Sequence, residues 1–249
     1  MLPNHSPLVI AEQFGTLAAL HPGRVDLGLG RAPGTDQLTV LALRPAGHPG
    51  SAGFPQDVLE LQAFLGDAQP GQRVRAIPGQ ASHVPLWILG SSLYGAQLAA
   101  ALGLPYAFAS HFAPEALVPA LEVYRERFEP SKQLREPYAM VACNVVCADT
   151  DEEARRLFTS PQQSFTNMLR GRRGRLPPPV DDIDAWWTPE EREQTMQRLA
   201  RSFVGSPGTV RAGLDAFVEE TRADELIVAA AIWDHGARLR SYELLSSLR

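Results

Sequence analysis

Residues 2–36, LPNHSPLVIAEQFGTLAALHPGRVDLGLGRAPGTD, decide the fold class, because they hold a helix, a strand and a glycine-rich polar loop in that order. Ser6-Pro7 is a helix start: a hydroxyl can cap free N–H groups, and proline tolerates the first helical position. His21-Pro22-Gly23 stops that helix. Val25 to Gly30 alternates apolar residues with Asp26, Gly28 and Gly30, which predicts a short strand whose glycines admit a close neighbour. Arg31 then stands just past the strand's C-terminal end. In a β/α barrel the ligand-binding loops converge there, and arginine is suited to phosphate. A structural salt bridge from Arg31 to Asp26 or Asp36 is the competing reading.

The β/α rhythm continues down the chain. After a Pro/Gly/Ala-rich passage from Arg44 to Phe54, Gln56 to Leu65 predicts a helix with Val58, Leu61 and Leu65 on one side. Pro70 to Ser82 reads as a surface connection. Pro85 to Leu89 predicts a strand ending in Gly90-Ser91-Ser92, and Tyr94 to Leu102 an alanine-rich helix closed by Gly103. Tyr106 to Ala109 is the next strand, Pro114 to Phe128 the next helix, and Tyr138 to Ala148 a longer strand. Thr150 to Glu153 is a capping box, repeated at Thr188-Pro189-Glu190-Glu191 before a helix reaching about Phe203. Ser206-Pro207 opens a helix ending near Thr221, and Leu226 to Ile232 is the last strand. Five short, nearly all-apolar strands alternating with helices indicate a parallel sheet covered on both faces.

The first thirty-six residues, PLWILGSSLYGAQLAAALGLPYAFASHF from Pro85 to Phe112, VGSPGTVRAGLDAFVEE from Val204 and DELIVAAAIWDHGARLRSYELL from Asp224 together resemble the bacterial luciferase-like family of flavin-dependent monooxygenases. The resemblance implies one TIM (β/α)8-type barrel that uses reduced flavin mononucleotide (FMN), supplied by a separate flavin reductase, and O2 on a small organic substrate. It implies that Arg31 pairs with the flavin phosphate and that Gly90, Ser91 and Ser92 form the second phosphate-binding loop. It also implies that the chain begins near the end of the family's third strand. Five to six strands of the α/β barrel would then be present and roughly 80 residues absent, at about 30 per β/α unit. The family's active-site histidine belongs to the absent strands, so no catalytic residue is assigned. Asn4 and His5 lie where that third strand would end, which makes them candidate flavin or substrate contacts; hydrogen bonding at a helix start is their structural alternative. A deazaflavin-dependent oxidoreductase of the same superfamily and a non-catalytic flavin-binding remnant are the alternative functions.

Composition narrows the classes. With 249 residues and 45% hydrophobic content the chain can build one large core, and no linker-like break divides it. A net charge of −5 disfavours nucleic acid as a partner. No run approaches about 18 apolar residues and no basic-then-apolar leader opens the chain, so neither a membrane nor export is indicated and a cytoplasmic location is the default. Exposed sheet edges and the family's habit of pairing predict a homodimer. Cys143 and Cys147, four apart on a strand, would lie roughly 13 Å apart, too far for a disulfide, and have no zinc-ligand spacing. They read as buried thiols, and no metal site is predicted.

The remaining candidates are local. The Gly90-Ser91-Ser92 loop lacks the lysine of a nucleoside-triphosphate-binding loop, and Gly28-x-Gly30 lacks the third glycine of a dinucleotide fingerprint. His111, Asp234 and His235 follow strand ends, where a hydrogen-bonded structural role competes with ligand contact. Arg170, Arg172, Arg173 and Arg175 lie in a segment, Ser160 to Trp187, that reads as a solvated loop and a candidate lid.

Overall fold

The computed structural model describes residues 1–32, 34–43, 50–172 and 174–248. Among these the chain has an α/β fold of six strands and nine α-helices. It divides into two compact units, 1–107 with 122–138, and 108–121 with 139–249.

In the first unit, Pro7–Leu20 is α1, Leu27–Gly30 is β1, Gln37–Leu43 is α2 and Phe54–Leu65 is α3. Leu86–Gly90 (β2), Leu93–Leu102 (α4) and Tyr106–Phe108 (β3) follow, and α5 is Leu117–Glu126; the division between the units falls within β3 and α5. β1 and β2 are parallel and in register from Leu27 opposite Leu86 to Gly30 opposite Leu89. Among the described residues β1 has no second strand partner, so one edge of the sheet is open there. α1 packs on α3 and α4 on β2. The core is Leu27, Leu29, Phe54, Val58, Leu61, Ile88, Ala96, Ala99, Tyr106 and Tyr124, all within 4% of full burial. Gly103 closes α4 in the left-handed conformation, at φ 61° and ψ 37°, which glycine adopts without steric cost.

The second unit is built around β4, Ala139–Cys147, whose buried residues on both faces fit the valine- and alanine-rich pattern. α6 is Asp151–Leu169, α7 Pro189–Arg198, β5 Ser202–Gly205, α8 Pro207–Thr221, β6 Glu225–Ala229 and α9 His235–Ser246. β4 pairs in parallel with β6 over Met140–Asn144 and with β5 over Asn144–Cys147. Val146, Ala148, Ala154, Leu157, Phe158, Leu199 and Ile232 form one apolar cluster. Cys143 and Cys147 are buried free thiols, and burial pushes the Cys143 thiol up to about 12. No helix of the described residues is long and apolar enough to cross a membrane.

Four readings of the sequence change. The helix expected to reach Phe203 stops at Arg198, and Ser202–Gly205 is a sixth strand. The loop expected from Ser160 is helical to Leu169, with Pro161 inside α6. α2, which no core periodicity announced, leaves Leu38 and Leu41 exposed. The connection from Pro70 to Ser82 is not wholly superficial: Ala76 is buried, and a Cβ on Gly15 of α1 would stand 2.2 Å from the Gly79 Cα. Of the Arg44 to Phe54 passage, residues 44–49 lie outside the described residues, as does Arg173, and 50–53 form a 3-10 turn.

Candidate functional site

The register of β1 on β2 brings the two predicted phosphate elements to one place. Gly30 is opposite Leu89, so Arg31 and Gly90 leave adjacent parallel strands side by side at their C-terminal ends. The strand glycines serve packing there: a Cβ on Gly28 would stand 2.9 Å from Leu89 Cδ1, and one on Gly30 3.1 Å from Met1 Sδ. Arg31 is exposed, and among the described residues no carboxylate lies within ion-pair distance of it. Its guanidinium carbon sits 4.0 Å from the centroid of the Tyr94 ring, in the first turn of α4. The alternative partner Asp36 is engaged elsewhere, accepting the Thr39 N–H at 3.0 Å and the Thr39 hydroxyl at 2.7 Å. Those bonds, the hydroxyl's first, hold its carboxyl below the usual value.

Ser92 is the N-cap of α4, with extended backbone and no capping bond from its side chain. Both Ser91 and Ser92 are exposed. A helix start without a side-chain acceptor keeps its N–H groups and its positive dipole end available to an anion. Beneath the loop lies Tyr106, fully buried, whose hydroxyl donates to the Ser92 carbonyl at 3.1 Å. A Cβ on Gly90 would stand 3.3 Å from the Tyr106 Oη, and one on Gly95 3.2 Å from Tyr106 Cε2. An exposed guanidinium stacked on Tyr94, a helix start without a side-chain cap among the described residues and two exposed hydroxyls make an arrangement that fits a phosphate monoester.

Asn4 and His5 close a 3-10 turn, with the Asn4 N–H donating to the Met1 carbonyl at 3.2 Å and the His5 N–H to the Leu2 carbonyl at 2.9 Å. Asn4 is half-buried and His5 exposed. Met1 Sδ borders Gly30, so the turn begins beside the Arg31 end of β1.

In the second unit most candidates are structural. Asp234 caps α9 by accepting the Ala237 N–H at 2.8 Å, and His235 Nδ1 lies 3.0 Å from the Arg238 guanidinium. His111 is held by its carbonyl, which accepts from Asn144 Nδ2 at 2.6 Å; burial lowers its imidazole pKa. Arg170 is no solvated loop residue. It pairs with Glu191 at 2.6 and 2.7 Å, donates to the Trp186 carbonyl at 3.0 Å and lies 4.4 Å over the Trp186 ring. Arg170 in turn holds the Glu191 carboxyl at about 2. Gln163 and Thr159 also bond residues 178 and 180, so this stretch is strapped onto α6. Among the described residues no cluster of His, Cys, Asp and Glu could hold a metal ion.

Sequence reasoning missed Tyr94 and Tyr106. The signal was present: Gly90 and Gly95 bracket the loop, and paired glycines around a turn leave room for a ring from the next strand.

Comparison with known proteins identifies the family. The family model for luciferase-like monooxygenases matches residues 1–225. A luciferase-like monooxygenase of Escherichia coli K12 is 53% identical over 249 residues, covering all of this chain and 74% of that protein. The crystal structure of apo-MsnO8 superposes with a TM-score of 0.90 at 36% identity, covering 100% of this chain and 75% of the other. Two more distant structures share the fold. One is the oxygenating constituent of 3,6-diketocamphane monooxygenase from Pseudomonas putida in complex with FMN, with a TM-score of 0.65 and 20% identity over 98% of this chain and 75% of the other. The second is an F420-dependent secondary alcohol dehydrogenase, with a TM-score of 0.68 and 14% identity over 98% of this chain and 76% of the other. The family match over residues 1–225 and the 53% identity to a luciferase-like monooxygenase agree: this chain belongs to the luciferase-like monooxygenase family.

Proposed function

We propose that this chain binds FMN by its phosphate and acts as a monooxygenase on a small organic substrate. The observation that carries the reading is an arginine that has no carboxylate partner among the described residues, set beside a helix start that none of them caps, at the C-terminal ends of two adjacent parallel strands. Arg31 would neutralise the phosphate, and Ser91, Ser92 and the first N–H groups of α4 would donate to its oxygens. Gly90 keeps the loop low enough for that approach, since a side chain there would meet Tyr106. Asn4 and His5 stand, by position, as contacts for the flavin or substrate. When bound in its reduced form, the cofactor supplies the electrons for reaction with O2. What the chain contributes is anchoring, orientation and exclusion of water from the reacting centre.

The reduced cofactor would come from a separate flavin reductase, in the cytoplasm, and the chain would work as a homodimer. The second reading, a deazaflavin-dependent oxidoreductase, is favoured by the F420-dependent structural neighbour. Titration with oxidised and reduced FMN, followed by flavin fluorescence, tests the binding. Saturable binding supports the reading and its absence from a folded chain rejects it. A parallel titration with F420 separates the two cofactors, because the FMN reading expects saturable binding of FMN and not of F420, and the deazaflavin reading expects the reverse.

A further inference from the structure

The phosphate-binding end is held from two sides by tyrosines that work through different parts of the same side chain. Tyr106 is fully buried on β3 and lies between Gly90 and Gly95, with its ring tilted against Tyr124 at 5.5 Å between centroids. Both glycines are spaced to admit that ring. Its hydroxyl reaches the loop, donating to the carbonyl of Ser92, the residue that caps α4. Burial pushes the phenol pKa up, so the group stays a neutral donor at working pH. Tyr94 is placed differently. It is half-buried in the first turn of α4, and its ring face carries the Arg31 guanidinium at 4.0 Å. An exposed arginine otherwise samples many rotamers, and stacking on an aromatic face removes much of that freedom before a ligand arrives.

We infer that Tyr106 and Tyr94 are positioning residues for phosphate recognition: the Tyr106 hydroxyl fixes the backbone of the Ser91-Ser92 loop, and the Tyr94 ring fixes Arg31. The inference deepens the FMN reading and rests on it. It makes opposite demands on one substitution. Tyr106→Phe keeps the ring and loses the working group, whereas Tyr94→Phe keeps the working group and Tyr94→Leu loses it.

The test is a titration of the full 249-residue chain and these three variants with FMN and with riboflavin, the same ring system without the phosphate. Tyr106→Phe and Tyr94→Leu are each expected to weaken FMN binding about three- to tenfold, the scale of one hydrogen bond or cation–π contact, and to leave riboflavin binding unchanged. Tyr94→Phe is expected to bind FMN like the parent. Thermal unfolding of each variant shows that it is folded, and Tyr94, being half-buried, gives an answer even where the buried Tyr106 does not tolerate change. If the parent binds FMN and both loss variants bind it equally well, or lose FMN and riboflavin affinity in the same proportion, the positioning role is overturned and the cofactor reading stands. If the folded parent does not bind FMN, the cofactor reading falls and the inference falls with it.

Discussion

Two helices of this chain begin after a glycine–serine step at a strand's end, α4 after Gly90-Ser91-Ser92 and α8 after Gly205-Ser206, and they complete their N-termini in opposite ways. At α8 the chain supplies its own anion. Asp151 Oδ1 accepts the Ser206 N–H at 2.6 Å and the Thr209 hydroxyl at 2.9 Å, and these bonds hold its carboxyl below the usual range. At α4, among the described residues, no side chain caps the start and no carboxylate pairs with the Arg31 guanidinium beside it. A glycine–serine–helix motif is thus a site or a joint according to what the rest of the fold sends to it. The carboxylate at α8 comes from 55 residues upstream in sequence. In the proposed reading, phosphate recognition would fall to the helix start at which the described residues supply no side-chain cap.

This contrast can be broken by experiment. The largest effect is expected from Arg31→Ala, which removes the guanidinium beside the start of α4: FMN affinity should fall about ten- to a hundredfold, the size of a lost charge-assisted hydrogen bond. Fluorescence titration measures it, and an unchanged Kd would remove Arg31 from the site. Asp151→Ala should act on the joint alone, lowering Tm by about 2–5 °C through the loss of a cap while leaving FMN affinity as it was. A fall in FMN affinity with stability retained would mean that the two helix starts are not separate in role.

Acid sharpens the same distinction. Because the folded-state pKa of Asp151 is depressed below its ordinary 3.8, its ionised form favours the folded protein. That stability is present above the ordinary value and is lost as the pH falls through the folded one. Urea unfolding between pH 6 and pH 2 should therefore show a shallower acid loss in Asp151→Asn than in the parent. Glu191, held at about 2 by Arg170, adds a second loss over the window from 4.5 downward, and this one should persist in Asp151→Asn and disappear in Glu191→Gln. The smallest effect is expected from Gly90→Ala. A Cβ 3.3 Å from the Tyr106 Oη is tight but not prohibitive, so FMN affinity should fall by about two- to threefold.

The sequence already carried most of this architecture where local chemistry is self-sufficient. Thr188 and Glu191 complete both halves of their capping box, Thr150 accepts the Glu153 N–H, and Gly103 ends α4 as its φ requires. β5 escaped notice because SFVG is short, half-buried and without alternation, so it reads as a continuation of the preceding helix. The strapping of residues 178–191 to α6 was equally hidden. An arginine-rich, proline-rich stretch reads as solvent-facing until Glu191 and Trp186 are brought to Arg170. At the candidate site the charged and glycine positions were legible from their place after strands. Tyr94 and Tyr106 were not, because they act through a ring face and a single hydroxyl whose partners only the register of β1, β2 and β3 brings within reach.

The contact of Gly15 with Gly79 sets a limit of another kind. A methyl on Gly15 would fall 2.2 Å from the Gly79 Cα, and one on Gly79 would fall 2.4 Å from the Ala11 carbonyl oxygen. Each position collides with main chain, so shrinking a neighbouring side chain relieves neither, and no second substitution can rescue the first. A connection without regular secondary structure is in this way among the least mutable parts of the chain, while the regular but exposed surface of α2 is free to drift.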